Sequence, residues 1–274
     1  MANAPARART IGATAIQLFT KTPNQWREPR IEPDHVDGFR IALARAGVRA
    51  VVAHDSYLIN LASPDAALRE RSERSFTCEL ERCRALGIPW VVSHPGNYMD
   101  DRDAGLRRNA ESYAACLARV DGPGILIEGT AGSGTALGAT FEELAALREA
   151  IPAEARSRVG FCLDTAHLHA AGYTVASDME GVWAAFDRIV GLAHLKCLHL
   201  NDSRAAFGSR VDRHAWIGEG TIGPEAFRRI MRDPDLGNVI KIIETPKGDD
   251  PVRHDRRMLR RLRAYARVAR SPVR

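Results

Sequence analysis

Short apolar runs recur along the chain, and seven of them read as strands: residues 13–20, 49–55, 90–96, 124–130, 159–165, 197–202 and 240–245. Several are apolar at consecutive positions, as in RAVVAHD and IKIIETP. That is the pattern of strands buried on both faces of a parallel sheet. Between them the period changes to a helical one. Over Asp34–Ala46, Val36, Phe39, Leu43 and Ala46 fall on one face and Gly47 closes the helix. Further helices are expected from Pro64 to Gly87, before Arg119, from Thr140, and over Met179–Leu192, Pro224–Met231 and Asp250–Arg270. Alternation of this kind predicts an α/β fold. The 274 residues suit an α/β barrel, which needs ~250, and without a linker they read as one domain over residues 1–274.

The polar residues inside these runs carry the chemistry. Most runs end on a His, Asp or Glu at the C-terminal edge: His54, His94, Glu128, Asp164 with His167, His199 and Glu244. The stretch Cys197–Gly220, CLHLNDSRAAFGSRVDRHAWIGEG, adds Asp212 and His214, which are separated by one residue and can reach one point from an extended loop. Within its strand Cys197, His199 and Asn201 share one face. A parallel α/β barrel gathers the C-terminal ends of its strands around one mouth, where its active site lies. So many carboxylates, with no lysine between them, would repel one another and take up protons unless cations sat among them. Histidine with carboxylate and no cysteine suits Zn²⁺, and Mn²⁺ or Fe²⁺ also fits. One zinc takes ~4 ligands including water, so this ligand set implies about two or three ions. His35, His169, His194 and His254 lie away from the strand ends and are expected to be surface or packing residues.

Composition adds two points. The net charge is +5, and Lys21, Lys196, Lys241 and Lys247 are the only lysines among 39 basic residues. A basic surface suits a polyanion such as nucleic acid, although an arginine-rich genome gives the same balance. The five cysteines form no CxxC pair, and Cys162 and Cys197 lie inside apolar strands, as reduced thiols of a cytosolic protein do. No stretch approaches the ~18 uninterrupted apolar residues of a membrane span, and the N-terminus has no apolar signal core. A soluble cytoplasmic protein is expected.

In order, the motifs HDSYLINLASP (54–64), SHPG (93–96), IEGTAG (127–132), CLDTAHLHAAGY (162–173), HLNDSRAAFGSRVDRHAWIGEG (199–220) and IIET (242–245) resemble the endonuclease IV family of apurinic/apyrimidinic endonucleases. The resemblance runs from Ala13 to Glu244 and implies a TIM barrel that holds three zinc ions and repairs DNA at abasic sites. By match to the family's motifs, His54, His94 and Glu128 would hold one metal. Glu128 would bridge to a second, completed by Asp164, His199 and Glu244, and His167, Asp212 and His214 would hold the third. Tyr57 and Leu58 match the family's DNA wedge, and Ile59 beside them is a third apolar residue on the same mouth loop. Asn24 stands where many relatives carry an Arg that enters the DNA. Arg210, in GSRVDRH, is a further candidate DNA contact. Gly129 and Ala166 replace the Asn and Cys common beside the ligands.

The reaction implied is hydrolysis of the phosphodiester 5′ to an abasic site in duplex DNA, leaving a 3′-hydroxyl. A hydroxide shared by two metals attacks phosphorus in line while another metal stabilises the leaving 3′-oxygen. Glu128 and Glu244 are the candidate catalytic carboxylates, with Glu128 orienting the hydroxide, and the abasic nucleotide would be flipped into the site. A monomer with no membrane partner is expected. Two other readings are open. A sugar isomerase of the xylose isomerase type would use two metals and a sugar-binding lysine, without the third site that Asp212-Arg213-His214 supplies. A damage-binding protein would use its metals for structure alone.

A closed barrel needs eight parallel strands, and the pattern yields seven. Met1–Arg9 (MANAPARAR) reads as helix. Relatives open with a strand and a turn of the type GxHxSxxGG, then a helix resembling this segment. The chain is therefore expected to begin just past that strand, through a late gene start or a cut. An opening is expected between the strands at 13–20 and 240–245, and an upstream-extended chain should be more stable and more active.

Overall fold

Seven parallel strands form one sheet that curls most of the way into a barrel, in the order β1 (Ala15–Leu18), β2 (Ala50–His54), β3 (Trp90–Ser93), β4 (Gly124–Gly129), β5 (Val159–Asp164), β6 (Leu195–His199) and β9 (Ile240–Ile242). The computed structural model describes residues 3–267. An antiparallel pair, β7 (Asp202–Ser203) with β8 (His214–Ala215), stands apart from the barrel. The helices are α1 (Ala4–Ile11), α2 (Pro33–Ala46), α3 (Ala66–Leu86), α4 (Arg102–Arg119), α5 (Phe141–Ala150), α6 (Thr165–Ala171), α7 (Met179–Ile189), α8 (Pro224–Arg232) and α9 (Pro251–Ala266). The expected extension of the last helix to Arg270 falls partly outside the described residues. No described helix is long and apolar enough to cross a membrane.

The period-2 alternation of side chains explains how the sheet makes a site. Val52, Val92, Leu126, Cys162, Cys197 and Ile242, one from each of six strands, pack together inside the barrel, with Ala15 of β1 against them. Leu18, Ala53, Val91, Ile125, Ile127, Phe161, Leu163 and Leu198 lie in the larger core shared with the helices. Stepping two residues from each inner-layer position toward the C-terminal end keeps the side chain on the inner face. Those positions are Gln17, His54, His94, Glu128, Asp164, His199 and Glu244. One apolar layer is thus the floor, and the polar layer above it lies at the mouth.

β1 and β9 occupy the two ends of the strand order, with no pairing between them among the described residues. A cavity of about 330 Å³ lies here, lined by Ala15, Ile16, Gln17, Leu18, Ile242 and Glu244 among others. The opening is where the strand count places it, and residues 4–11 are helical, entered through Pro5 and closed by Gly12 at φ 74°.

Two expectations about elements are corrected. The strand expected at 197–202 ends at His199, because the next residues turn away to pair Asp202 with Ala215 and Ser203 with His214. Asp202 pins that excursion: its buried carboxylate accepts backbone N–H bonds from Ser203, Ile222, Gly218 and Gly220 at 2.8–3.0 Å. Any Cβ on Gly220 would sit 2.3 Å from the Ser203 carbonyl oxygen, so only glycine lets the loop approach this closely. His167 lies in the first turn of α6 rather than at the end of a strand, since the Asp164 side chain caps that helix by accepting from the N–H groups of Ala166 and His167.

Candidate metal centre

The polar layer converges on Glu128, which is almost completely buried. Its Oε2 lies 3.3 Å from His54 Nε2 and 3.2 Å from His94 Nε2, and its Oε1 lies 3.1 Å from His199 Nδ1. His199 Nδ1 is also 3.2 Å from Glu244 Oε2 and 3.8 Å from Asp164 Oδ2. His214 Nε2 approaches Asp164 Oδ2 at 3.5 Å and Asp212 Oδ1 at 3.1 Å, while His167 Nε2 lies 3.3 Å from Asp212 Oδ2. Four groups have donor atoms within 4.8 Å of one another: His54–His94–Glu128, Glu128–Asp164–His199, Asp164–His167–His214 and, reaching into the apolar layer below, Cys162–Cys197–His199. Seven of the nine candidate ligands fall in these groups, with Glu128, Asp164 and His199 each shared between two, and Glu244 and Asp212 join them through His199, His167 and His214. Asp212 is the outermost, its side chain 48% exposed.

Three of the histidines have one ring nitrogen held by a main-chain carbonyl. With the proton on Nδ1, His54 donates to the Asp55 carbonyl at 2.9 Å, His167 to the Gly129 carbonyl at 2.9 Å and His214 to the Glu244 carbonyl at 3.3 Å. Each bond turns the Nε2 lone pair toward the carboxylates, as oriented metal-ligand histidines are held. His214 Nε2 is buried without a hydrogen-bond partner. The donor set, nitrogen and carboxylate oxygen in overlapping groups, fits divalent ions of the zinc type.

Electrostatics point the same way. Burial alone would lower the pKa of His54, but the hydrogen bond and charge of Glu128 raise it to about 9. For His214, burial is outweighed by Asp164 and Asp212, and the result is again about 9. Burial would raise Glu244, yet the charge of His199 brings it down to about 2. Against the same burial, His199 and His94 hold Glu128 well below the usual carboxylate range. Glu128 and Glu244 thus stay ionised while His54 and His214 bind protons, which is how a cluster that favours cations behaves when protons are the cations on offer.

The candidate DNA contacts ring this mouth. Tyr57 is 62% exposed and leans its ring edge on Phe19 and His54, with centroids 5.3 and 6.0 Å away. Leu58 is half-buried, and Ile59 is buried in the core and offers no wedge, because the turn following Ser56 directs it inward. Asn24 is exposed. Its loop is tied to the Tyr57 loop by Ser56 Oγ donating to the Pro23 carbonyl at 2.6 Å. A buried network anchors its base: Arg82 donates to Glu28, Glu79 and Thr20 at 2.6 Å, and Lys21 to Glu28 at 2.5 Å. Arg210 is exposed on the far rim, at φ 56°, with its N–H bonded to the Ala170 carbonyl.

Sequence reasoning passes over three residues. Gln17 contacts both Glu244 and His199. Asn201, noted only for its face, bonds Asp164 and Glu244. Asp202 organises the loop that delivers His214. The signal that could have found them is a polar residue inside an apolar strand, which points to amides as well as to His, Asp and Glu. Of the histidines given packing roles, His169 is buried and bonded to Thr221, while His35 is exposed.

Fold and site together define a barrel of a known class. The family model described as "Xylose isomerase-like TIM barrel" matches residues 5–262. Within it, the chain is 48% identical over 270 residues to the "Probable endonuclease 4" of Chloroflexus aurantiacus, covering 96% of this chain and 93% of that one. The crystal structure of endonuclease IV from Thermus thermophilus superposes with a TM-score of 0.85 at 39% identity, over 96% of this chain and 93% of that one. A putative xylose isomerase from Rhodospirillum rubrum shares the fold alone, with a TM-score of 0.73 at 13% identity over 96% and 93% of the two chains. The chain belongs to the endonuclease IV family of the xylose isomerase-like TIM barrels.

Proposed function

We propose that this chain is a metal-dependent endonuclease that hydrolyses the phosphodiester 5′ to an abasic site in duplex DNA and leaves a 3′-hydroxyl. The observation that carries the reading is the third group at the mouth. His167 and His214 converge on Asp212 beyond the groups built around Glu128. A sugar isomerase has no use for that extension, and among the described residues no lysine joins the ligand cluster to hold a sugar oxygen.

Three zinc ions would be held as the resemblance implies: by His54, His94 and Glu128; by Glu128, Asp164, His199 and Glu244; and by His167, Asp212 and His214. When bound, such ions supply hydroxide at neutral pH and Lewis-acid stabilisation of phosphate oxygens. The chain itself orients that chemistry. Glu128, buried and shared, aligns the attacking oxygen; Tyr57 and Leu58 enter the opened base stack; Asn24 and Arg210 flank the backbone. The basic surface, with a net charge of +5, draws the duplex in.

Metal analysis of chain purified without chelator, followed by incubation with an abasic duplex, tests the reading. About three ions per chain are expected, with a nick 5′ to the lesion and an extendable 3′ end. One ion or none in a folded chain defeats the metal centre. A shifted but uncut duplex in saturating zinc defeats the nuclease in favour of a binding protein.

A further inference from the structure

Gln17 sits on β1 two residues beyond the inner apolar layer, the place taken at or just past the ends of the six other barrel strands by His54, His94, Glu128, Asp164, His199 or Glu244. It is the one member of the polar layer that is neither imidazole nor carboxylate. Its Nε2 lies 2.7 Å from Glu244 Oε1, and its Oε1 lies 2.8 Å from His199 Nε2.

A carboxylate oxygen accepts, and Glu244 Oε1 takes its bond from the Gln17 Nε2, so the amide turns its NH₂ toward Glu244. That leaves the carbonyl oxygen facing His199, and a carbonyl only accepts. His199 must therefore carry a proton on Nε2. Nδ1 then faces Glu128 Oε1 at 3.1 Å and Glu244 Oε2 at 3.2 Å, and it is the ring nitrogen left to a cation, a proton in the metal-free chain and a metal when one is bound. His54, His167 and His214 are fixed the other way round: backbone carbonyls take Nδ1–H and Nε2 faces inward. His199 is the exception, and in place of a main-chain oxygen it has a side-chain amide.

We infer that Gln17 is a positioning residue that sets the tautomer of His199 and reserves one oxygen of Glu244, so that Nδ1 and Oε2 together face one metal. The inference rests on the metal-centre reading above and deepens it. Because a side chain rather than the main chain makes these two bonds, they can be removed without touching a ligand. The inference also ties the site to the barrel's opening, since among the described residues β1 is supported by a neighbouring strand on one side only.

The test is zinc competition against a chelator, together with two-bond ¹H–¹⁵N correlation spectra of histidine-labelled chain. In the metal-free wild type, titrated upward until each ring has lost its second proton, His199 should show the Nε2–H tautomer, while His54 and His214 should show Nδ1–H. Q17L should weaken one zinc site about 10–100-fold and leave the others unchanged, the range found when outer partners of ligands are lost. Q17E keeps an acceptor for His199 and loses the donor to Glu244; it should retain the tautomer and still lose zinc affinity. An Nδ1–H tautomer at His199 in the wild type overturns the inference, and needs no variant to fold. Equal zinc affinity in folded Q17L overturns it as well. If the wild type itself retains no zinc, the metal-centre reading fails, which is a distinct result.

Discussion

Asn201 donates its amide N–H to Asp164 Oδ2 at 2.6 Å, so one carboxylate oxygen of Asp164 is steadied at the site while the other caps α6. The same amide, through its oxygen, accepts the backbone N–H of Glu244 at 2.8 Å. β6 has ended by then, and β9 ends at Ile242, so this one side chain ties a candidate ligand at the end of β5 to one that lies beyond its strand.

Glu244→Gln should therefore separate chemistry from docking. The amide keeps the shape and the main-chain bond to Asn201, and removes the charge that faces His199. Turnover on abasic duplex is expected to fall by about 10²-fold or more, since an ion's charge stabilisation is worth several kcal/mol. Binding of the same duplex should change little. Parallel rate and mobility-shift measurements decide it, and unchanged turnover in saturating zinc would remove Glu244 from the site.

Tyr57 is exposed at the rim, so Tyr57→Ala should cost little stability. Stacking of an aromatic on a base is worth about 1–3 kcal/mol, and it is engaged only where the helix opens. The loss should then appear on abasic duplex and not on intact duplex. Equal loss on both substrates would make Tyr57 a cap over the barrel mouth.

The pH dependence of the metal-free chain has a definite sign. His54 and His214, raised from 6.5 to about 9, stabilise the fold fully below pH 6.5, and this contribution is lost as pH rises through about 9. Glu244, depressed from 4.5 to about 2, contributes above pH 4.5 and loses its effect as pH falls through about 2. Zinc must displace the imidazole protons, so its binding should release protons and the zinc-induced rise in melting temperature should grow from about pH 6 to about pH 8. Calorimetry in two buffers of different ionisation enthalpy measures the release. Uptake of zinc with no proton exchange at about pH 7 would contradict the picture.

The opening between β1 and β9 leaves two strand edges without a neighbour among the described residues. A chain extended upstream by one strand should pair them and melt higher, by about 2–4 °C for each kcal/mol gained. Through Gln17 it should also hold zinc more tightly. An extension that leaves the melting temperature unmoved would mean that the edges are already satisfied in solution.

Much of this was legible in the sequence because its signal is local. Alternation along a strand is a property of consecutive residues, so seven strands, their C-terminal His, Asp and Glu residues and the count one short of a closed barrel could all be read directly. α1 was legible for the same reason, from its proline and its alternating alanine and arginine. What lay beyond reach was whatever depends on two distant segments meeting. The sequence order Asp164, Thr165, Ala166, His167 does not say that Asp164 caps a helix and so lifts His167 off the strand. Nothing near Asp202 announces the four backbone N–H groups it collects from residues up to twenty positions away. Gln17 is an unremarkable amide until β1 stands where its two ends reach Glu244 and His199, which lie 227 and 182 residues further along the chain. The ligand types belong to the sequence, but the way each ligand faces was decided only when the barrel brought its partners within hydrogen-bonding distance.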